Sequence, residues 1–342
     1  MATKACVEVS KVFVVSKISN IASCLKKSIG DVIVQELSFS TSENSLSEEG
    51  LKIIPEIEYL FADPSVIGQV LSDPGNSLKW AQSTFAGVEP IIKAVNKIEE
   101  IPSAIVCRQT GGFGQSMGEY VIGQIIARER KFSFMNDLQR QSSYDDYRSD
   151  LISYRNLDTL SIGILGLGTI GAEVARQCKA LNMTVWATLR DERFISDEVK
   201  CEHVHNFRPI SLLHEMVLEV DYLVNILPST MQTRGLLSGE VLKSCEKKKT
   251  VFINIGRGDV VDDESLVQAL NRGWLGGAIL DVFNTEPLPS SSPLWKTPGV
   301  TITPHVSGIT DTNKAVQTFM TNLQLYRAGQ PMINRVDFRR GY

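Results

Sequence analysis

The chain has 342 residues, 43% of them hydrophobic and 22% charged, which is close to globular averages and long enough for two domains with a substantial core. A formal net charge of −4 excludes a general attraction for nucleic acid or an anionic membrane, so any anion it holds must meet a local site. Cysteines at 6, 24, 107, 178, 201 and 245 form no C-x-x-C pair, which excludes a zinc ribbon or a thioredoxin-like motif and points to a reducing compartment.

The opening "MATKACVEVSKVFVVSKI" holds an apolar run broken by Lys11 and Lys17. It is too short for a signal-peptide core, and no stretch of about 18 apolar residues follows, so a cytoplasmic protein off the membrane is expected. "KVFVVS" reads as a strand, "NIASCLKKSI" as a helix and "DVIVQEL" as a strand. The Ser-rich segment 39–50 reads as a loop. "IEYLFAD" and "LKWAQST" are two more predicted strands, with a helix at "PSVIGQVL" between them. From about Gln115 the spacing of Met117, Val121, Ile125 and Ile126 predicts an amphipathic helix with a polar continuation, "MNDLQRQSSYDDYRSD".

A second alternating block starts at Leu160. Its predicted strands are "LSIGILG", "TVWATL", "DYLVNILP", "TVFINIG", "GAILDVF" and "VTITPHV", with helices at "GAEVARQCKAL" and "DESLVQALNRG". The last helix places Val316, Phe319, Met320, Leu323 and Tyr326 on one face. Alternation of this kind predicts two α/β domains, each a parallel sheet covered by helices, Rossmann-like or flavodoxin-like, with a cleft between them.

Within "SIGILGLGTIGAEVA", Gly166, Gly168 and Gly171 spell G-x-G-x-x-G between an apolar strand and a helix, the context a dinucleotide site requires. The first glycine allows a tight turn, the second lets the backbone approach a pyrophosphate, and the third permits close helix–strand packing. The helix N-terminus, from Thr169 and Ile170, offers N–H groups and partial positive charge to the anion. An acid about 20 residues on would take a ribose 2′-hydroxyl. Here Leu189 ends the next strand, followed by Arg190 and, nearby, Arg193. That favours a 2′-phosphate, and NADP over NAD, although NAD is possible. The alternative is that Asp191 or Glu192 takes the hydroxyl while the arginines stay solvated.

Three polar residues follow predicted strands, where open α/β sheets bind ligands. Arg257 ends "VFINIG" between two glycines, Glu286 follows "AILDVFNT", and His305 ends "VTITP". A buried cation without a partner is costly, so Arg257 must reach solvent or an anion. A guanidinium forks a carboxylate, a histidine carries protons near neutral pH, and a carboxylate orients its ring. Together these are the parts for reducing a 2-keto acid with a nicotinamide. No H-x-x-x-H or other ligand spacing supports a metal. No tyrosine has lysine four residues later, so the short-chain dehydrogenase signature is absent.

The motifs "GILGLGTIG", "NILPSTMQTRGLL", "NIGRGDVVDDESLVQAL", "GAILDVFNTEPLP" and "TITPHVSG" resemble the D-isomer-specific 2-hydroxyacid dehydrogenases, from about residue 108 onward. "GFGQSMGEYV", "EPLPSSSPLWKTPGVTITPHV" and "VDFRRGY" resemble the glyoxylate/hydroxypyruvate reductase A type, which favours NADPH. The resemblance implies Arg257, Glu286 and His305 as catalytic residues, with hydride passing to C2 of a small 2-keto acid and His305 donating the proton to the developing alkoxide. It implies Asp281 at the nicotinamide carboxamide, and Leu227, Pro228, Thr233, Ile255, Gly256 and Gly308 around the cofactor. It also implies that the N–H groups of Ala86, Gly87 and Val88 hold the substrate carboxylate together with Arg257. Phe85 stands where the family usually has glycine or a similar small residue. A discontinuous substrate domain (1–107 with 309–342) and a cofactor domain (108–308) are implied, as is a homodimer through the helix near 115–135. The competing reading on this scaffold is a dinucleotide-sensing binding protein like the related corepressors. The formate dehydrogenase branch fits less well, because its usual glutamine stands where Glu286 is.

Overall fold

The structure is a computed structural model that describes residues 7–40, 44–144, 148–191 and 201–342. The chain divides into two compact units, residues 1–112 with 310–342, and residues 113–309.

In the first unit, strands β1 (Lys11–Val15), β2 (Ile33–Glu36), β5 (Tyr59–Ala62), β6 (Trp80–Ser83) and β7 (Ile105–Cys107) form one sheet in the order β2-β1-β5-β6-β7. Every pairing in it is parallel. Such a sheet is covered on both faces, so β1 and β5 are apolar at odd and even positions alike. Phe13 and Val15 join one core with Leu60 and Ala62, while Val12 and Val14 join another with Tyr59, Phe61 and Trp80. Helices α1 (Ile21–Ser28), α3 (Pro64–Ser72) and α4 (Glu89–Val95) provide cover. The C-terminal helix Thr312–Arg327 packs on α1, and its Phe319 stacks on Trp80 and Phe61 at centroid separations of 4.8 and 4.9 Å. The predicted 39–50 loop instead holds a small antiparallel pair, β3 (Phe39–Ser40) with β4 (Ser45–Leu46), and α2 (Glu48–Lys52). Ser47 starts α2 by accepting from the N–H of Gly50, a short-range capping signal that the serine-rich composition obscures.

The second unit begins with α5 (Phe113–Glu129), α6 (Phe132–Arg140) and α7 (Arg148–Ile152). Its sheet contains β8 (Ser161–Leu165), β9 (Thr184–Leu189), β10 (Asn206–Pro209), β11 (Tyr222–Asn225), β12 (Val251–Asn254), β13 (Gly277–Leu280) and β14 (Val300–Ile302). The order is β10-β9-β8-β11-β12-β13-β14, all parallel. This is the doubly wound order with one strand added, and its switch point lies between β8 and β11. Sequence patterning misses β10, because "NFRP" lies at a sheet edge, is half exposed and carries a proline. Helix α8 (Thr169–Ala180) follows β8 and packs on α5. A Cβ on Gly114 would lie 2.7 Å from Glu173 Cβ, so that glycine is needed for this approach, while one on Gly118 would lie 2.6 Å from the terminal amide of Gln177. No helix among the described residues is long and apolar enough to cross a membrane.

Candidate active site

The switch point puts the glycine turn at the carboxyl end of β8. Gly166 has φ +101, a region that L side chains rarely adopt. A Cβ on Gly171 would lie 2.0 Å from the Gly166 carbonyl oxygen, so the third glycine serves helix–strand packing. A Cβ on Gly168 would meet nothing within 4 Å. Gly168 caps α8 without a side-chain bond, which leaves Thr169 and Ile170 at an open helix N-terminus. The turn therefore fits a dinucleotide pyrophosphate, both in backbone approach and in dipole.

Leu227 and Pro228 follow β11. Leu227 N–H donates to Asn225 Oδ1 at 3.2 Å, and the Pro228 carbonyl accepts from the Thr233 hydroxyl at 2.6 Å. Leu189 is buried at the end of β9, followed by exposed Arg190. Asp191 Oδ1 accepts from the Ser211 hydroxyl and N–H at 3.0 and 3.3 Å, so one of its oxygens is engaged. Arg193 and Glu192 lie outside the described residues.

Beyond β12, Ile255 is buried, and its N–H donates to the Asn225 carbonyl. The glycines beside Arg257 have a packing role. A Cβ on Gly256 would lie 2.9 Å from the Leu227 carbonyl oxygen, and one on Gly258 would lie 2.0 Å from the backbone of Phe283. Asn254 and Asn225 donate to the Arg257 carbonyl at 3.0 and 3.5 Å, and Arg257 Nη1 donates to the Gly256 carbonyl at 2.7 Å. The two asparagines are further bonded to each other at 2.9 Å.

Glu286 and His305 form a pair, with Oε2 2.8 Å from Nδ1. Glu286 Oε1 accepts from the Phe283 N–H at 2.9 Å. Burial resists ionisation of Glu286, but the bonds from His305 and Phe283, with the charges of His305 and Arg257, outweigh it and lower the pKa. The His305 pKa is raised, first by the bond to Glu286. Burial opposes this, the Glu286 charge adds to it, Arg257 opposes it and Asp281 adds a little. Arg257 is thus near enough for its charge to act on both partners.

Asp281, fully buried after β13, accepts from Thr303 Oγ1 at 2.5 Å, Val306 N–H at 2.9 Å and Ser307 N–H at 2.8 Å. Gly308 abuts α5, where a Cβ would meet Met117 at 3.0 Å and Phe113 at 3.2 Å. The structure therefore gathers Arg257, Glu286, His305, Asp281 and the glycine turn at one edge of one sheet.

In the first unit, Ala86, Gly87 and Val88 form the turn between β6 and α4. Thr84 anchors that turn by donating to buried Asp63 at 2.6 Å, as Ser16 does at 2.5 Å. Phe85 sits beneath Lys17, whose Nζ is 4.9 Å from the ring centroid. Asp63 escaped the sequence reading because a lone acid before a proline looks like a helix cap. In the structure it makes no side-chain cap, and it bonds to residues at the ends of β1 and β6 instead.

The sequence profile described as "D-isomer specific 2-hydroxyacid dehydrogenase, NAD binding domain" matches residues 122–307. Glyoxylate/hydroxypyruvate reductase A of Escherichia fergusonii is 32% identical over 271 residues, 78% of this chain and 83% of that protein. The chain belongs to the D-isomer-specific 2-hydroxyacid dehydrogenase family. It is accordingly an oxidoreductase of 2-hydroxy and 2-keto acids with a dinucleotide-binding domain. A family member from Xanthobacter autotrophicus, solved with NADPH and MES, superposes with a TM-score of 0.81 at 26% identity, covering 98% of this chain and all of that one. The NADPH-dependent glyoxylate/hydroxypyruvate reductase of Sinorhizobium meliloti, solved with NADP and sulfate, gives 0.79 at 25% identity, covering 97% and 100%.

Proposed function

We propose that this dehydrogenase reduces a small 2-keto acid of the glyoxylate or hydroxypyruvate kind, with NADPH preferred over NADH. The observation that carries the reading is the 2.8 Å Glu286–His305 pair within charge range of Arg257, on the sheet edge that bears the glycine turn. Bound nicotinamide supplies the hydride to C2. Protonated His305, with Nδ1 held by Glu286, delivers its Nε2 proton to the forming alkoxide. Glu286 stabilises the imidazolium. The Arg257 guanidinium polarises the C2 carbonyl and forks the substrate carboxylate.

The first unit is assigned the substrate and the second the dinucleotide. Gly166, Gly168, Thr169, Ile170 and Gly171 take the pyrophosphate, and Leu227, Pro228, Thr233, Ile255, Gly256 and Gly308 flank the cofactor. Arg190 and Arg193 take the 2′-phosphate, supported by the apolar Leu189 and by Asp191's engagement with Ser211. Of about four acceptor positions on the Asp281 carboxylate, one remains for a carboxamide N–H. A homodimer through α5 and α6 is supported by the exposed Phe132 and Phe134 on α6.

Oxidation of NADPH and of NADH, followed with glyoxylate, hydroxypyruvate and bulkier 2-keto acids, tests the reading. Turnover of a small keto acid with NADPH favoured is expected. Tight dinucleotide binding without turnover of any acid would sink it in favour of a sensor.

A further inference from the structure

The turn that carries His305 is held from behind. Asp281 receives the N–H groups of Val306 and Ser307 on its carboxylate, and its carbonyl accepts from the His305 N–H at 2.9 Å. His305 has φ +54, uncommon for a residue with a side chain, and such a conformation persists where its surroundings over-determine it.

The Thr303 hydroxyl lies 2.5 Å from Asp281 Oδ1 and 2.7 Å from the Tyr120 hydroxyl. A carboxylate can only accept, so the single Thr303 proton goes to Asp281, and the Thr303 oxygen must accept from Tyr120. Burial raises the Tyr120 pKa above its ordinary value. The Thr303 bond opposes this, the Asp281 charge adds to it and a bond from Gln124 opposes it, so the phenol stays a donor at neutral pH. Phe113, Met117, Tyr120 and Gln124 share one face of α5 by their spacing of three and four. The first two abut Gly308 and the third reaches Thr303, so one helix face backs the turn from 303 to 308.

We propose that Tyr120 and Thr303 are positioning residues for the reaction: the hydroxyl chain Tyr120 → Thr303 → Asp281 orients the Asp281 carboxylate, which in turn fixes the backbone around His305. The inference rests on the reading of His305 as the proton carrier. Neither hydroxyl touches the reacting atoms. Their effect is on where the imidazole stands relative to Glu286, Arg257 and Asp281, the charged groups that act on it.

Thr303→Val, Thr303→Ser and Tyr120→Phe in the full-length protein test this. Thr303→Val and Tyr120→Phe should lower kcat for keto-acid reduction about 10- to 100-fold, as small misplacements of a reacting group do. Both should shift the alkaline limb of the pH–rate profile and speed hydrogen exchange at the Val306 and Ser307 amides. Thr303→Ser, which keeps the hydroxyl, should restore all three. Wild-type turnover, pH limb and exchange in Thr303→Val, or no rescue by Thr303→Ser, would overturn the proposal. If Thr303→Val does not fold, Tyr120→Phe decides by the same criteria. If the wild type reduces no 2-keto acid, the functional reading fails and exchange alone decides: unchanged protection at 306 and 307 rejects the hydroxyl chain, and faster exchange rescued by serine upholds it.

Discussion

Glu286 Oε2 lies 2.8 Å from His305 Nδ1, which commits one imidazole nitrogen to the protein and leaves Nε2 for chemistry. Because the bond to Glu286 is the largest cause that raises the His305 pKa above its ordinary 6.5, the imidazolium persists above that pH. In the proposed mechanism keto-acid reduction uses the imidazolium, so its rate should hold below the raised pKa and fall as pH rises through it. Oxidation of the hydroxy acid should show the mirror-image profile. Glu286→Gln removes the charge that favours the imidazolium, so the alkaline limb of kcat/KM for reduction should move to lower pH. His305→Ala should slow reduction about 10²–10⁴-fold. A pH–rate series on the three proteins checks both, and a limb that stays put in Glu286→Gln would detach the carboxylate from the proton donor.

The loop that carries Arg257 is held through its backbone. Two asparagines bind the Arg257 carbonyl, and Gly256 and Gly258 let the loop wedge between residues 225–227 and 283. Arg257→Ala should therefore leave the fold intact while raising KM for the keto acid and lowering kcat. Arg257→Lys should restore charge without restoring rate, since a point charge lacks the fork. Steady-state kinetics with circular dichroism as the folding control reads this out, and unchanged kcat and KM in Arg257→Ala would remove the guanidinium from the site.

What the sequence made legible follows physical range. The glycine turn could be read because each glycine answers a local constraint, such as the 2.0 Å contact a Cβ at Gly171 would make. The core strands could be read because sheets covered on both faces need continuous apolar runs, as in "KVFVV" and "TVFIN". β10 could not, since an edge strand with Arg208 and Pro209 has no such requirement. The Tyr120–Thr303 bond joins residues 183 apart, and nothing in either neighbourhood specifies the other. Tyr120 sits inside a helix whose visible pattern is the apolar series Met117, Val121 and Ile125, and that pattern accounts for the helix without the phenol.

The proposed cofactor preference turns on the end of β9. Leu189 cannot accept from a ribose 2′-hydroxyl, and Arg190 next to it suits a 2′-phosphate. Leu189→Asp combined with Arg190→Ser should move the kcat/KM ratio toward NADH, mainly through a higher KM for NADPH. Parallel titrations with both dinucleotides measure it, and an unaltered ratio would reject this strand end as the selector.

Arg155 offers a stability test remote from the chemistry. Its guanidinium bridges Glu129, bonded through Nε and Nη2, and Asp221, 2.8 Å from Nη1; both carboxylates are only 9% exposed. Glu129 also accepts from the Tyr222 hydroxyl at 2.7 Å, and Asp221 from the Ser161 hydroxyl and N–H, with Lys248 at 3.9 Å. Arg155→Ala would leave two largely buried carboxylates with less compensation. Arg155 itself is about half exposed and Lys248 stands near Asp221, so the loss should be moderate, about 1–3 kcal/mol. The pH dependence separates charge from packing. Burial opposes ionisation of Glu129, but the bonds from Arg155 and Tyr222 outweigh it and depress the pKa. The stability this confers is present above the unfolded value near 4.5 and lost as pH falls through the depressed folded value. Without Arg155 only the Tyr222 bond is left to oppose burial, so that pKa should rise from its depressed value, and the gap between wild type and variant should be widest near neutral pH and narrow on acidification. Urea unfolding of both proteins at several pH values measures the gap, and a difference that stays constant down to pH values well below the unfolded one would show that Arg155 acts through packing alone.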